Sequence, residues 1–156
     1  MKMRQFVFLI ILILLLANHL LSAEFDGWFH GTSGYNSAYK LAFQKNEPMI
    51  VYFHTDWCGW CKKLNTQYLE INSVKTFLNN IVKAEINPDI SSADKATSNS
   101  YSVKGYPTFL VVMPNINEPP ISVYPFLKSG QLTPAAFVEQ IKQAIAQFYN
   151  RHAYQL

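Results

Sequence analysis

Cys58 and Cys61 are the only cysteines in a chain of 156 residues, and they stand three apart in Trp57-Cys58-Gly59-Trp60-Cys61-Lys62. A thiolate is a nucleophile, and a second thiol within reach makes it half of a two-electron redox couple. Residues three apart on a helix are neighbours, so a disulfide can close between them with little backbone movement. Any disulfide within the chain must join this pair. So small a loop adds little to stability, which argues against a structural staple. Zinc is a second possibility. The pair supplies two ligands of the four that a closed site wants, and His30 and His54 lack paired-ligand spacing. Covalent haem needs a His directly after the second Cys, where this chain has Lys62. Redox chemistry is the reading these residues favour.

The elements around the pair suit that chemistry. Residues 49–53 form an apolar, β-branched and aromatic run, the signature of a buried strand. A brief polar turn follows, and residues 62–70 read as a helix with Leu64, Tyr68 and Ile71 at helical spacing. The cysteines therefore fall where a strand hands over to the first turn of a helix. Unpaired N–H groups and the positive end of the helix dipole favour a thiolate there.

Residues 1–23 open with Lys2 and Arg4, continue as an unbroken apolar run over 6–16, and end at Ser22-Ala23. That pattern describes a secretory signal peptide. Leu21 stands where a small residue is preferred at a cleavage site, so an uncleaved anchor formed by residues 6–21 is the alternative. Either way residues 24–156 belong outside the cytoplasm. The whole chain carries 13 basic and 10 acidic residues, and losing Lys2 and Arg4 takes the formal charge from +3 to +1. Such a balance gives no case for nucleic-acid binding. The remainder has the length of one ordinary domain with one core.

Residues 24–34 look like an irregular lead-in. A helix is expected over 36–46, with Tyr39, Ala42 and Phe43 on one side and Pro48 beyond its end. Ser73 is expected to cap a short helix holding Val74, Phe77 and Leu78. A second strand spans 81–86, and 88–100 is polar, a short helix or loop. A third strand runs over 108–113 and a turn-rich link over 115–120. A fourth strand, at an edge, spans 121–126. Thr133 and Pro134 open a last helix with Phe137, Ile141, Ile145 and Phe148 as its apolar stripe. This order gives an α/β fold with a central mixed sheet of four strands flanked by helices, behind an N-terminal extension.

With these residues in view, the chain resembles the thioredoxin superfamily. The resemblance rests on Trp57-Cys58-Gly59-Trp60-Cys61-Lys62 after a hydrophobic strand, and on Tyr106-Pro107-Thr108 before a later one. It spans about residues 45–150. The stretch from Thr55 to Leu69 is most similar to exported thioredoxin-like proteins akin to the C-terminal domain of the transmembrane disulfide reductase.

The resemblance implies a thiol–disulfide oxidoreductase whose only redox group is the Cys58–Cys61 disulfide, with no metal. Cys58 would be the exposed attacking thiol and Cys61 the buried resolving thiol. Trp57, Trp60, Tyr106 and a cis Pro107 would form the substrate contact surface. The partners implied are thiols and disulfides of exported proteins, with a membrane electron donor; the sequence shows no oligomer contact. One departure matters. Many relatives place a buried carboxylate six residues before the first Cys, where this chain has Tyr52, a poor proton acceptor near neutral pH. Asp56 is too near the turn to replace it. Glu85 could serve as a proton relay if it points under Cys61, and Lys83 shares its strand face; the plainer reading makes both solvated strand ends. His54 either donates to the site or caps the strand, the second being favoured. Lys62 and Lys63 act only weakly on Cys58. Gly59-Trp60 puts no basic residue between the thiols, which points to a middling or reducing potential. An oxidase or isomerase on the same fold, or a non-enzymatic peptide-binding module, are the alternatives.

Overall fold

The structure is a computed structural model, and it describes residues 25–127 and 130–153. The leader or anchor expected in residues 1–23 lies outside the described residues. Among the described residues, no helix is long and apolar enough to cross a membrane.

The sheet is built on β2, Met49–Phe53, all five of whose residues are buried. Side chains alternate across a strand. Ile50 and Tyr52 therefore join one apolar cluster, while Met49, Val51 and Phe53 join another on the opposite face. A strand covered on both faces reads as an uninterrupted apolar run, which explains its clarity in the sequence. β3, Val82–Ile86, lies parallel to β2. On the other side β4, Thr108–Val112, pairs antiparallel, with Phe53 opposite Thr108. Thus the chain leaving β2 and the chain entering β4 meet at one end of the sheet.

Among the described residues the sheet has five strands where four were expected. The additional strand, β1, is the pair Phe29–His30 inside the supposed irregular lead-in, and it pairs parallel with β3. Two residues are too few for any periodicity to reveal. At the other edge the expected fourth strand is split. β5, Ile121–Ser122, pairs with β4, whereas β6, Phe126–Leu127, pairs with β7, Gly130–Gln131. Pro125 stands at the break; it has no N–H to donate to a ladder.

Helix α1, Gly31–Lys45, covers the β1–β3 side through Ala38 and Ala42, while Phe43 is exposed rather than turned inward. It begins five residues earlier than expected, because Asp94 supplies the cap from far along the chain. The Asp94 carboxylate accepts from the Thr32 N–H at 2.6 Å and from the Thr32 hydroxyl at 2.8 Å. Gly31 has φ of +59°, and a Cβ there would lie 3.2 Å from Asp94 Oδ1. Asp94 itself sits in the first turn of α4, Ser92–Ser100, whose N-cap is Ser91.

The opposite face carries three elements. α2, Gly59–Leu64, runs into a π-helical turn, Asn65–Leu69, so the expected single helix over 62–70 starts earlier and changes pitch. The Glu70 N–H reaches the Asn65 carbonyl at 2.9 Å, and the wider turn buries Asn65, Tyr68 and Leu69 together. α3, Asn72–Leu78, has Ile71 at its N-cap with no side-chain cap; Ser73, expected to be the cap, lies two residues inside it. α5, Pro134–Ala153, presents Phe137, Ile141, Ala144 and Phe148 to the core, with Ile145 half-buried beside them. Phe137 packs edge-on to Tyr68 and Phe109, with ring centroids 5.3 and 5.5 Å away. It thereby ties α5 to both the π turn and β4. Phe137→Ala should cost about 3–5 kcal/mol, the usual range for a fully buried phenylalanine. Urea unfolding measures this, and a loss below about 1 kcal/mol would contradict the packing described.

Candidate redox site

β2 ends at Phe53, and the chain turns through residues 54–58 before α2 begins. The Cys58 N–H closes that turn on the Thr55 carbonyl at 3.2 Å. Cys58 is then the N-cap of α2, with extended backbone angles, and its sulfur accepts from the Cys61 N–H at 3.0 Å. The two cysteines are bonded, with Cα atoms 5.2 Å apart. Neither is therefore free as a thiolate ligand in this form, and both His30 and His54 are turned to Glu85 instead. Among the described residues there is no group of three or more His, Cys, Asp and Glu placed to hold a metal ion.

The expected contrast between an open and a sealed sulfur is muted. Cys61 is 1% exposed and Cys58 only 4%. Cys58 has turned its sulfur back onto the helix start, which removes it from solvent while the disulfide is closed. The exposed surface belongs to the tryptophans on either side, Trp57 at 70% and Trp60 at 53%. A core position for Trp57 is thereby excluded. Its indole N–H donates to Asp89 at 2.8 Å, and its ring meets Tyr106 edge-on at 6.0 Å. Trp60 lies 5.1 Å from the Phe126 ring, and the Lys63 ammonium sits over both rings. Lys62 is solvent-exposed.

The Tyr106–Pro107 peptide is cis. Because Phe53 and Thr108 are partners in the β2–β4 ladder, Pro107 stands at the sheet end from which the cysteine loop departs. The Trp57–Tyr106 contact joins the two loops. Beside them Pro107, Thr108, Phe109, Ser122, Val123 and Tyr124 line a groove of about 230 Å³. It runs along the end of β4 where that strand's pairing with β5 gives out.

Beneath the cysteines the structure departs most from what the sequence announces. Glu85 and Lys83 are both buried, not solvated strand ends. The Lys83 ammonium donates to the Leu78 carbonyl at 3.1 Å, closing the end of α3, and lies over the Trp28 ring. Burial pushes its pKa down, partly offset by Asp26. Glu85, opposite Tyr52 in the ladder, accepts from His54 Nε2 at 2.6 Å and from His30 Nδ1 at 2.8 Å. Burial pushes the Glu85 pKa up, but these hydrogen bonds and the neighbouring imidazoles outweigh it and hold the carboxyl below its ordinary value. The backbone N–H of His54 extends the strand by donating to Ile86, while its ring does something else entirely. Tyr52, at the position where an acid might stand, donates to Asn65 Oδ1 at 3.0 Å. Asp56 is exposed and accepts from the Asn87 amide at 2.9 Å.

His30, Thr55 and Asn65 are the residues that the sequence gave little reason to place here. His30 lies on a two-residue strand and Asn65 on a π turn, and neither element has a sequence period.

The geometry is competent for thiol–disulfide exchange: a reversible sulfur–sulfur bond at a helix start, an apolar rim and an adjoining groove. Comparison with known proteins agrees. A family model described as Thioredoxin matches residues 33–150. Protein disulfide-isomerase 2-3 of Arabidopsis thaliana is 30% identical over 86 residues, 55% of this chain and 18% of that protein. The matched stretch is thus under a fifth of that relative's length. Among solved structures, a thioredoxin from Thermus thermophilus has a TM-score of 0.56 at 25% identity, covering 75% of this chain and 86% of its own. The oxidised C-terminal domain of DsbD from Neisseria meningitidis has a TM-score of 0.58 at 21% identity, covering 75% of this chain and 98% of its own. The matched model spans α1 to α5, takes in the bonded cysteines and the cis-proline loop, and places the chain in the thioredoxin family.

Proposed function

We propose that this chain is a thiol–disulfide oxidoreductase that reduces disulfides of exported proteins. The observation that carries the reading is the Cys58–Cys61 bond formed at the first turn of α2, flanked by exposed tryptophans. In the reduced protein, Cys58 is the attacking sulfur. The Cys61 N–H that lies 3.0 Å from it would stabilise its thiolate. Attack forms a bond between Cys58 and one substrate sulfur, and the other substrate sulfur leaves with the electron pair. Cys61 then attacks Cys58, the intramolecular disulfide forms, and the substrate departs as a dithiol.

Trp57, Trp60 and Tyr106 give the substrate an apolar landing, and the groove along Pro107 suits an extended segment beside the reacting sulfur. The reducing direction is supported by Gly59-Trp60, which brings no cation between the thiols. A second reading, oxidation or isomerisation, draws on the similarity to Protein disulfide-isomerase 2-3 of Arabidopsis thaliana. On the first reading residues 1–23 are an export signal and electrons arrive from a donor in the membrane.

Cys58→Ser should abolish insulin reduction, and Cys61→Ser should accumulate a mixed disulfide through Cys58, seen as a dithiothreitol-sensitive mass increase. Full activity in both variants would rule out the chemistry. An unchanged biological effect with both cysteines replaced by Ala would mark a binding module instead. Mass spectrometry of the exported product should place its first residue at Glu24; a membrane-bound product retaining Met1 would identify residues 6–21 as an anchor.

A further inference from the structure

We infer that His54, oriented by Glu85, is the proton acceptor for Cys61 when that thiol resolves the mixed disulfide on Cys58. The inference rests on the exchange chemistry proposed above and assigns a step that the cysteines cannot perform alone. Cys61 is almost wholly buried, and burial disfavours its thiolate. Its proton must pass to a group in contact with the same space.

That space is a cleft of about 260 Å³ behind the disulfide, lined by His54, Thr55, Asp56, Cys61, Lys62 and Asn65. Of the six, only His54 and Asp56 offer a base. Asp56 is exposed, with Oδ1 engaged by Asn87, and a solvated carboxylate is poorly matched to a thiol. An imidazole is better matched. Tyr52, beneath the same region, donates its own proton to Asn65.

The partners of His54 fix which nitrogen is basic. An ionised carboxylate only accepts hydrogen bonds, so His54 Nε2 and His30 Nδ1 must both carry hydrogen where they meet Glu85. In neutral His54 the lone pair is then on Nδ1. Glu85 also stabilises the imidazolium that forms on proton uptake, the role a carboxylate plays behind a catalytic histidine. Phe25 and Tyr52 hold the ring plane, each with its centroid 5.0 Å away. The titratable and charged groups around the ring are Glu85, Tyr52 and, through Glu85, His30 from the sheet, with Asp56 and Lys62 at the cleft.

Thr55 completes the wall. Its hydroxyl is buried and has no hydrogen-bond partner among the described residues. A polar cleft of this size admits several waters, and a water bonded to Thr55 can bridge sulfur and imidazole. The step balances. The Cys61 proton moves to His54 Nδ1, the Cys61 sulfur bonds to Cys58, and the Cys58–substrate bond breaks. The substrate sulfur leaves with the electron pair and takes up a proton from the imidazolium or solvent.

The test mixes the reduced full-length protein with glutathione disulfide, quenches in acid and follows the Cys58 glutathione adduct by mass. His54→Gln should lengthen the adduct's lifetime at least about a hundredfold, the low end for a lost general base. Glu85→Gln should lengthen it less, and adduct formation should stay within about twofold, since Cys58 attack does not use the relay. In the wild type, resolution should level off toward alkaline pH, whereas in His54→Gln, which must rely on solvent hydroxide, it should go on rising with pH. Wild-type resolution that goes on rising with pH would overturn the inference even if the variants failed to fold. Resolution at the wild-type rate in His54→Gln would do the same. A wild type that forms no adduct would instead overturn the exchange chemistry, and this inference with it.

Discussion

The Cys61 N–H donates to the Cys58 sulfur across 3.0 Å, and most of what this chain can do depends on that contact. It exists because β2 stops at Phe53, the chain turns tightly on Thr55, and Gly59 begins a helix at once. The first turn of a helix has N–H groups with no partner inside the helix. Here one of them is spent on sulfur. The same geometry brings the second cysteine one turn along, within bonding distance. Lengthening the turn or displacing the helix start by one residue would lose both effects together.

The sheet is arranged to hold this junction still. β2 is covered on both faces and paired on both edges, so its end is fixed to better than the loop alone could achieve. β4 runs the other way beside it, which delivers Pro107 and Tyr106 to the same end. β3 delivers Glu85, and β1 adds His30 from outside. Four strands thus contribute to one sheet end: sulfur chemistry above, an apolar rim around it, and a buried carboxylate clamped by two imidazoles below. The carboxylate is tolerable in the interior because both of its oxygens are hydrogen-bonded.

How much of this was visible in the sequence follows from period and spacing. β2, α5 and the cysteine loop were legible because a doubly buried strand, an amphipathic helix and a C-x-x-C pair each have a local signature. The fold class followed from their order. Three features were not legible. β1 is two residues long and exists only through β3. The π turn at Asn65 buries Asn65, Tyr68 and Leu69 together, a change of pitch to which spacing is blind. The early start of α1 depends on Asp94, more than sixty residues away. Glu85 illustrates the same limit at the site: a charged residue in a strand looks solvated until its two histidine partners, one on β1 and one just past the end of β2, are brought to it. Cys58 shows the reverse case, a residue correctly located but more buried than its assigned role suggested.

Energetically, the direction of electron flow depends on how much the reduced pair gains from the helix start and how much it loses by burial. The helix N–H favours the Cys58 thiolate, whereas burial of Cys61 disfavours a second charge. With Gly59 and Trp60 between them, no cation tips the balance strongly toward the dithiol. The most direct measurement is the reduction potential of the Cys58–Cys61 couple in residues 24–156, equilibrated with glutathione buffers and read by thiol trapping. The account predicts a single two-electron couple clearly more negative than about −200 mV, on the thioredoxin side of the known range. A value at or above about −180 mV, or cysteines that do not titrate as one couple, would contradict it.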